Sequence, residues 1–327
     1  MGMVISMKLI LCYSSALDFI RASRWRRSDL PIAKITTLDD CASSLSEIRR
    51  ITIPAFDQSS KQLEVLVSSA AKACKSKEHI CRVVKAPVVH GAFRRIDKHA
   101  YVTSPEMTFV QMATRLPFLE LIVLGMELCG TYAPCPYSDR VDERPAVTTK
   151  ARLEAFCKRA QNMRGSATAL RALKWVVDNS NSPAETSMLL LLCLPVRLGG
   201  YGFKQPDMNP VTPLGKRASN MLGYPTMRCD LHYVDEGVVV EYDSDQEHLS
   251  SQSASNDATR RNVLGYKGIT TITVRKPMIA NPKMFDDIAR QLARALGRRL
   301  RQRDMKFTAA RRNLRFELFP WLKTRWR

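Results

Sequence analysis

A chain of 327 residues, 45% of them hydrophobic, is long enough for two domains of ordinary size, each with its own core. Its net charge of +20, from 51 Lys and Arg against 31 Asp and Glu, draws the chain to a polyanion and makes nucleic acid the default partner, bound in a salt-sensitive way. Nine scattered cysteines without a Cys-x-x-Cys pair exclude a zinc ligand set and a disulfide framework, and the longest apolar run, Met188 to Val196, excludes a membrane span of roughly 20 residues. A cytoplasmic protein with reduced thiols is expected.

Met1, Met3 and Met7 are each a candidate start. A helix is predicted over Ser15 to Ala22, followed by short β-like runs at Ile48 to Ile53 and Cys81 to Val89. From Ser104 to about Leu128 the grammar is helical: Ser104 can cap, Pro105 suits the first turn, and Gly130 closes the segment. Met107, Phe109, Met112 and Leu116 on that helix read as core. The proline-rich polar stretch 134–148 reads as a linker. Helices are expected at Thr149 to Met163, Ser166 to Asp178 and Ser182 to about Leu194, with a turn at Gly199-Gly200. The chain then alternates: strand Met227 to Val234, a turn at Asp235-Glu236-Gly237, strand Val238 to Asp243, helix Ser255 to Tyr266, strand Ile269 to Val274, and helix Pro282 to about Asp304. That order predicts an α/β fold, a mixed sheet flanked by helices, preceded by a smaller α+β domain. The expected boundaries are 1–133, linker 134–148, 149–304, and a basic tail at 305–327.

Chemistry concentrates on the two strands. Side chains two apart on a strand share a face, so Glu241 and Asp243 project together, and the turn near Glu236 brings Asp230 alongside. Clustered carboxylates call for a positive partner, and Mg²⁺ (or Mn²⁺) held by one or two carboxylates plus phosphate oxygens is the usual one. The competing reading makes Asp230 and Asp243 ordinary strand-end residues. Glu185 is a fourth acid, but Ser182-Pro183-Ala184-Glu185 also fits a helix-capping box. His248 could move a proton or sit idle in a loop. Arg260 either pairs with Asp257 three residues away or points at a phosphate, and Arg261 adjoins it. Residues 298–327 hold eleven Lys and Arg against two acids. Among them Arg298, Arg299, Arg301 and Arg303 are candidate phosphate contacts, and Trp321 and Trp326 can stack on an unpaired base. The alternative for this segment is a solvated extension.

Taken in order, Ser182-Pro-Ala-Glu185, Leu194-Pro195, Gly199-Gly200, Arg228-x-Asp230-Leu231, Val240-Glu241-Tyr242-Asp243, His248, Asp257-x-x-Arg260, Leu264 and Gly268 resemble the endonuclease-like domains related to very-short-patch-repair endonucleases, in the PD-(D/E)XK superfamily. The likeness spans about 165–300. It implies a restriction-endonuclease-like sheet, hydrolysis of a DNA backbone in defence or repair, Mg²⁺ on Glu185, Asp230, Glu241 and Asp243, and His248 as the trailing histidine. The sequence departs from the pattern at Cys229, where the motif has proline, at Asp243, where it has lysine, and at Ser244, where glycine is common. Ser15-Ala-Leu-Asp-Phe19 and Val102-Thr-Ser-Pro-Glu106 are similar to the antitoxin-type proteins of abortive-infection systems, which implies recognition of DNA or of a toxin partner. Two functions are carried forward: a metal-dependent endonuclease or nickase, and a non-catalytic DNA-binding, antitoxin-like protein on a nuclease scaffold. Oligomeric state is left open by the sequence.

Overall fold

The computed structural model describes residues 7–22, 30–53, 62–73, 76–84, 88–136, 138–243, 251–300 and 305–319, the side chains of 251–257 and 305–307 excepted. The chain is α/β throughout and divides into two compact units, Met1–Val176 and Val177–Arg327. That division lies beyond the stretch 134–148 expected to be the linker, so the predicted helical pair belongs to the first unit.

The first unit runs β1 (Leu9–Leu11), α1 (Tyr13–Ala22), α2 (Leu45–Arg49), β2 (Leu63–Val67), β3 (His79–Val83), β4 (Phe93–Arg95), β5 (Ala100–Thr103), α3 (Pro105–Met112), α4 (Phe118–Cys129), β6 (Tyr132–Pro134), β7 (Val141–Glu143), α5 (Lys150–Arg159) and α6 (Ser166–Leu173). Five strands form one mixed sheet in the order β3-β2-β1-β5-β4, with β1 buried at its centre. Three expectations are corrected. The run at Ile48 to Ile53 begins inside a helix, because Ser44 and Glu47 make a reciprocal capping box that starts α2. The long helix from Ser104 breaks in two: Ser104 caps α3, but the backbone cannot continue helically into Pro117, which instead opens α4. The polar stretch at 134–148 contains β7, paired with β6, and buries Arg144 and Thr148. Met107, Phe109 and Met112 are buried as expected.

This unit holds a charged knot. Glu64 of β2 is buried and takes five donors: Arg82 Nε and Nη2 at 2.8 and 2.5 Å, Arg115 Nη1 and Nη2 at 2.7 Å each, and the Ser14 amide at 3.0 Å. Burial alone would raise this carboxyl, but hydrogen bonds from Arg115 and Arg82 prevail and hold it at about 2. The Arg115 guanidinium also lies 3.9 Å from the ring of Tyr13, a residue in the left-handed region at φ 49°.

The second unit runs α7 (Pro183–Cys193), β8 (Asp207–Met208), β9 (Val211–Pro213), α8 (Lys216–Leu222), β10 (Thr226–Arg228), β11 (Leu231–Tyr233), β12 (Val238–Asp243), α9 (Ser251–Tyr266), β13 (Thr270–Arg275), α10 (Lys276–Ala280), α11 (Pro282–Ala295) and α12 (Met305–Leu318). Its main sheet has the order β13-β12-β11-β8, with β12 parallel to β13 and antiparallel to β11. Val238, Val239 and Val240 are all buried, as a strand covered on both faces requires. Val239 packs with Val263 and Leu264 of α9, and α7 is buried on every face from Ala184 to Cys193, its apolar residues together with Glu185, Thr186 and Ser187. The single strand expected over Met227 to Val234 is two: β10 pairs with β9 in a separate ribbon, and the chain leaves it at Cys229-Asp230 to enter the main sheet as β11.

The basic C-terminal segment differs from a solvated arm. Residues 305–318 form α12, which turns Leu314 and Leu318 inward and buries Arg311 and Arg315. Arg311 donates to Asp286 and, at 2.9 Å, to the Tyr201 hydroxyl; Arg315 donates to the Ile279 carbonyl and stands 5.2 Å from the Phe285 ring. Burial pulls Arg315 down to about 10. Gly199, at φ 91°, takes the close approach of this helix: a Cβ there would fall 2.5 Å from the Ala310 carbonyl oxygen.

Candidate active site

Three of the four predicted acids meet at one end of the β11–β12 hairpin. The ladder sets Leu231 opposite Val240, so the next pair outward brings Asp230 to Glu241. Asp230 Oδ2 accepts the Tyr242 amide at 2.7 Å, and Glu241 Oε2 lies 3.4 Å from the Asp230 amide. Glu185 comes from the first turn of α7. It is 6% exposed, and both of its oxygens are in use: Oε1 accepts the Ser182 hydroxyl at 3.0 Å, while Oε2 accepts the Asn181 amide at 3.0 Å and the Asn209 side-chain amide at 2.7 Å. Ser182 caps the helix through the Glu185 amide, so cap and cluster are the same residue. Asn209 adopts φ 47° and ties the two elements together, its own amide donating to the Asp230 carbonyl at 3.0 Å.

The electrostatics of the cluster are those of too much negative charge in too little water. Burial, then the charges of Glu241 and Glu185, push Asp230 up to about 7. Burial also raises Glu185, and it lifts Cys229, the residue at the motif's proline position, to about 12. Among the described residues the cation against Glu241 is Arg260. Its Nη2 lies 2.9 Å from Glu241 Oε1 and donates as well to the Arg228 carbonyl, so α9 lays a guanidinium against the carboxylates.

Asp243 is drawn elsewhere. It stands opposite Arg275 in the β12–β13 ladder and pairs with its Nε at 3.4 Å. Among the described residues its partner is thus a cation directly across the ladder, while its expected place beside Glu241 on one ion stays a proposal. Arg260 likewise partners Glu241, while the side chain of Asp257 lies outside the described residues. His248, Arg301 and Arg303 lie outside them too. Arg261, Arg298 and Arg299 are exposed, with Arg298 also 5.7 Å from the Phe203 ring.

Two groups near the acids escaped sequence reasoning. His232 stands two residues from Asp230 on the same face of β11; it is buried, which lowers its pKa, and its Nδ1 has no hydrogen-bond partner among the described residues. Simple alternation from Asp230 would have found it. Asn209, by contrast, carried no signal of its contact with Glu185 24 positions away.

Among the described residues, no three His, Cys, Asp or Glu side chains form a ready-made metal site. The donor set nonetheless suits a hard cation in part. Among the described residues Asp230 Oδ1 and Glu241 Oε2 are the oxygen donors least engaged, and burial with the neighbouring carboxylates raises the Asp230 carboxyl, whereas Glu185 and Asp243 are already engaged. A cavity of about 370 Å³ borders Arg260, lined by residues of β10, α9, the end of α8 and the turn between α8 and β10. No family model, no curated protein and no solved structure matches this chain. Among the described residues, no helix is long and apolar enough to cross a membrane, and the described cysteines are free thiols.

Proposed function

We propose that the second unit is a metal-dependent DNA hydrolase, an endonuclease or nickase with a restriction-endonuclease-like arrangement of its sheet. The observation that carries this reading is the meeting of Asp230, Glu241 and Glu185 at the end of the hairpin, where burial, then the charges of Glu241 and Glu185, raise the Asp230 carboxyl to about 7. Asp230 and Glu241 are the residues that would hold Mg²⁺ or Mn²⁺, with Glu185 orienting the Asp230 strand through Asn209. When bound, such an ion supplies charge neutralisation and a more acidic water.

The chain's own groups account for the rest. Arg260 takes over the electrostatic task that lysine has in the superfamily motif, although a guanidinium cannot give up its proton and so acts on phosphate charge alone. His232, neutral and buried two residues from Asp230, is placed to take a proton, a task that the sequence reserved for His248. The charge of +20 and the exposed Arg261, Arg298 and Arg299 favour a DNA backbone as substrate. The first unit, with its antitoxin-type segments, would recognise DNA or a toxin partner in a defence system.

A second reading is favoured by one specific observation. Arg260 and Arg275 already neutralise Glu241 and Asp243, as a retired site would have it, leaving a DNA-binding, antitoxin-like protein. Supercoiled plasmid with Mg²⁺ or Mn²⁺ separates the two. The hydrolase nicks it, stops in EDTA, and loses roughly 10²-fold or more in rate as Asp230→Asn or Glu241→Gln. No nicking, with salt-sensitive DNA binding equal in wild type and variants, overturns the hydrolase and supports the second reading.

A further inference from the structure

The cavity next to the carboxylates is a built feature with divided chemistry. Leu222, Tyr224, Thr226, Met227, Arg228 and Arg260 line it, and its volume of about 370 Å³ is of small-ligand size. Met227 is buried and Leu222 half-buried, which gives an apolar floor. Tyr224 is 68% exposed, directly after Gly223 at φ 81°, so a free aromatic face stands at the rim. Arg228 is exposed beside it, and Arg260 forms the wall shared with Glu241. An aromatic face, an apolar floor and two guanidinium groups are the complement of a base with its phosphate.

We infer that this cavity receives one unpaired nucleotide of a DNA strand, its base against Tyr224 and Met227 and its phosphate at Arg228 and Arg260. A paired base is stacked on both faces and cannot offer one to a concave site, so the occupant must come from a single strand, a bulge or a mismatch. The inference rests on the hydrolase reading for where the strand continues: one wall further on, past Arg260, lie Asp230 and Glu241. The protein would then act on a strand at or beside a distortion, with Arg260 contacting both the held nucleotide and the scissile phosphate.

Fluorescence anisotropy of the full chain in EDTA, where cleavage is silent, tests this with an intact duplex, the same duplex carrying one unpaired nucleotide, and the single strand. The last two should bind about tenfold or more tighter than the first. Tyr224→Ala should erase that preference, weakening them about 5- to 150-fold, as loss of one base–aromatic stack implies, while Tyr224→Phe keeps it. Tyr224 is exposed, so an unchanged melting temperature certifies that the variant is folded. Equal affinity for all three DNAs, or an equal loss on all three in Tyr224→Ala, overturns the inference. Plasmid nicking by the same preparation keeps the two proposals apart: a Tyr224-dependent preference without nicking sinks the hydrolase and retains the cavity, and nicking without preference sinks the cavity alone.

Discussion

Glu64 and Asp230 are both acids on or beside an interior strand of a mixed sheet, one buried and one half-buried, and they sit at opposite ends of what burial can do to a carboxyl. Around Glu64 the chain places two guanidinium groups and an amide, and the acid falls to about 2. Around Asp230 it places two more carboxylates and one shared guanidinium, and the acid rises to about 7. Burial raises both; the neighbours decide the outcome. The first arrangement is complete and needs no further partner, which is what a structural lock requires. The second is short of positive charge, which is what a site for a cation or for a charged substrate requires.

Removing each acid should therefore have effects of opposite sign. Glu64→Gln leaves Arg82 and Arg115 without their anion and should cost about 3 kcal/mol by urea unfolding at pH 7. Because the folded pKa is depressed, the cost belongs above the unfolded value near 4 and disappears as pH falls towards 2. Asp230→Asn keeps the acceptor for the Tyr242 amide and removes a strained charge, so it should stabilise the protein by roughly 2 kcal/mol at pH 7. Here the folded pKa is raised, so wild type and variant should match below about pH 4 and diverge as pH climbs to about 7. An Asp230→Asn variant less stable than wild type at pH 7 would reverse the comparison.

Smaller effects sharpen it. Mg²⁺ at ten times its dissociation constant should raise wild-type stability by about 1.4 kcal/mol, seen as a melting-temperature shift that Asp230→Asn and Glu241→Gln abolish and Glu64→Gln retains. Asp243→Asn breaks only a half-exposed pair with Arg275 and should change stability by about 0.5 kcal/mol, with that change fading at high salt. A large loss of plasmid nicking in Asp243→Asn would return Asp243 to the site.

Much of the second unit was legible because its signals are local. Val238 to Asp243 reads as a buried strand ending in acids, the turn at Gly237 sets the hairpin, and the hairpin sets Asp230 against Glu241. What escaped is what local rules do not reach. Spacing on a helix offered Asp257 or a phosphate for Arg260; the side chain of Asp257 lies outside the described residues, and the partner seen, Glu241, lies on another element 19 positions away. Glu64 finds Arg82 and Arg115 at separations of 18 and 51, across a sheet that no periodicity in the first unit announces. The break between β10 and β11 falls on Cys229-Asp230, where a single Asp is the whole of the turn signal and the chain passes from one sheet to another. The interruption at Pro117 was written in the sequence and outweighed by the apolar pattern around it.

The glycine at position 199 also has a consequence for the order in which the second unit becomes itself. Tyr201, two residues on, meets Arg311 across 110 positions of chain, so the groove at Gly199 leaves the ribosome long before the helix that fills it has been made. Until then α7 and the turn at Gly199 exist without the helix that packs on them. The second unit therefore gains the contacts of α12 late, after its sheet has been synthesised.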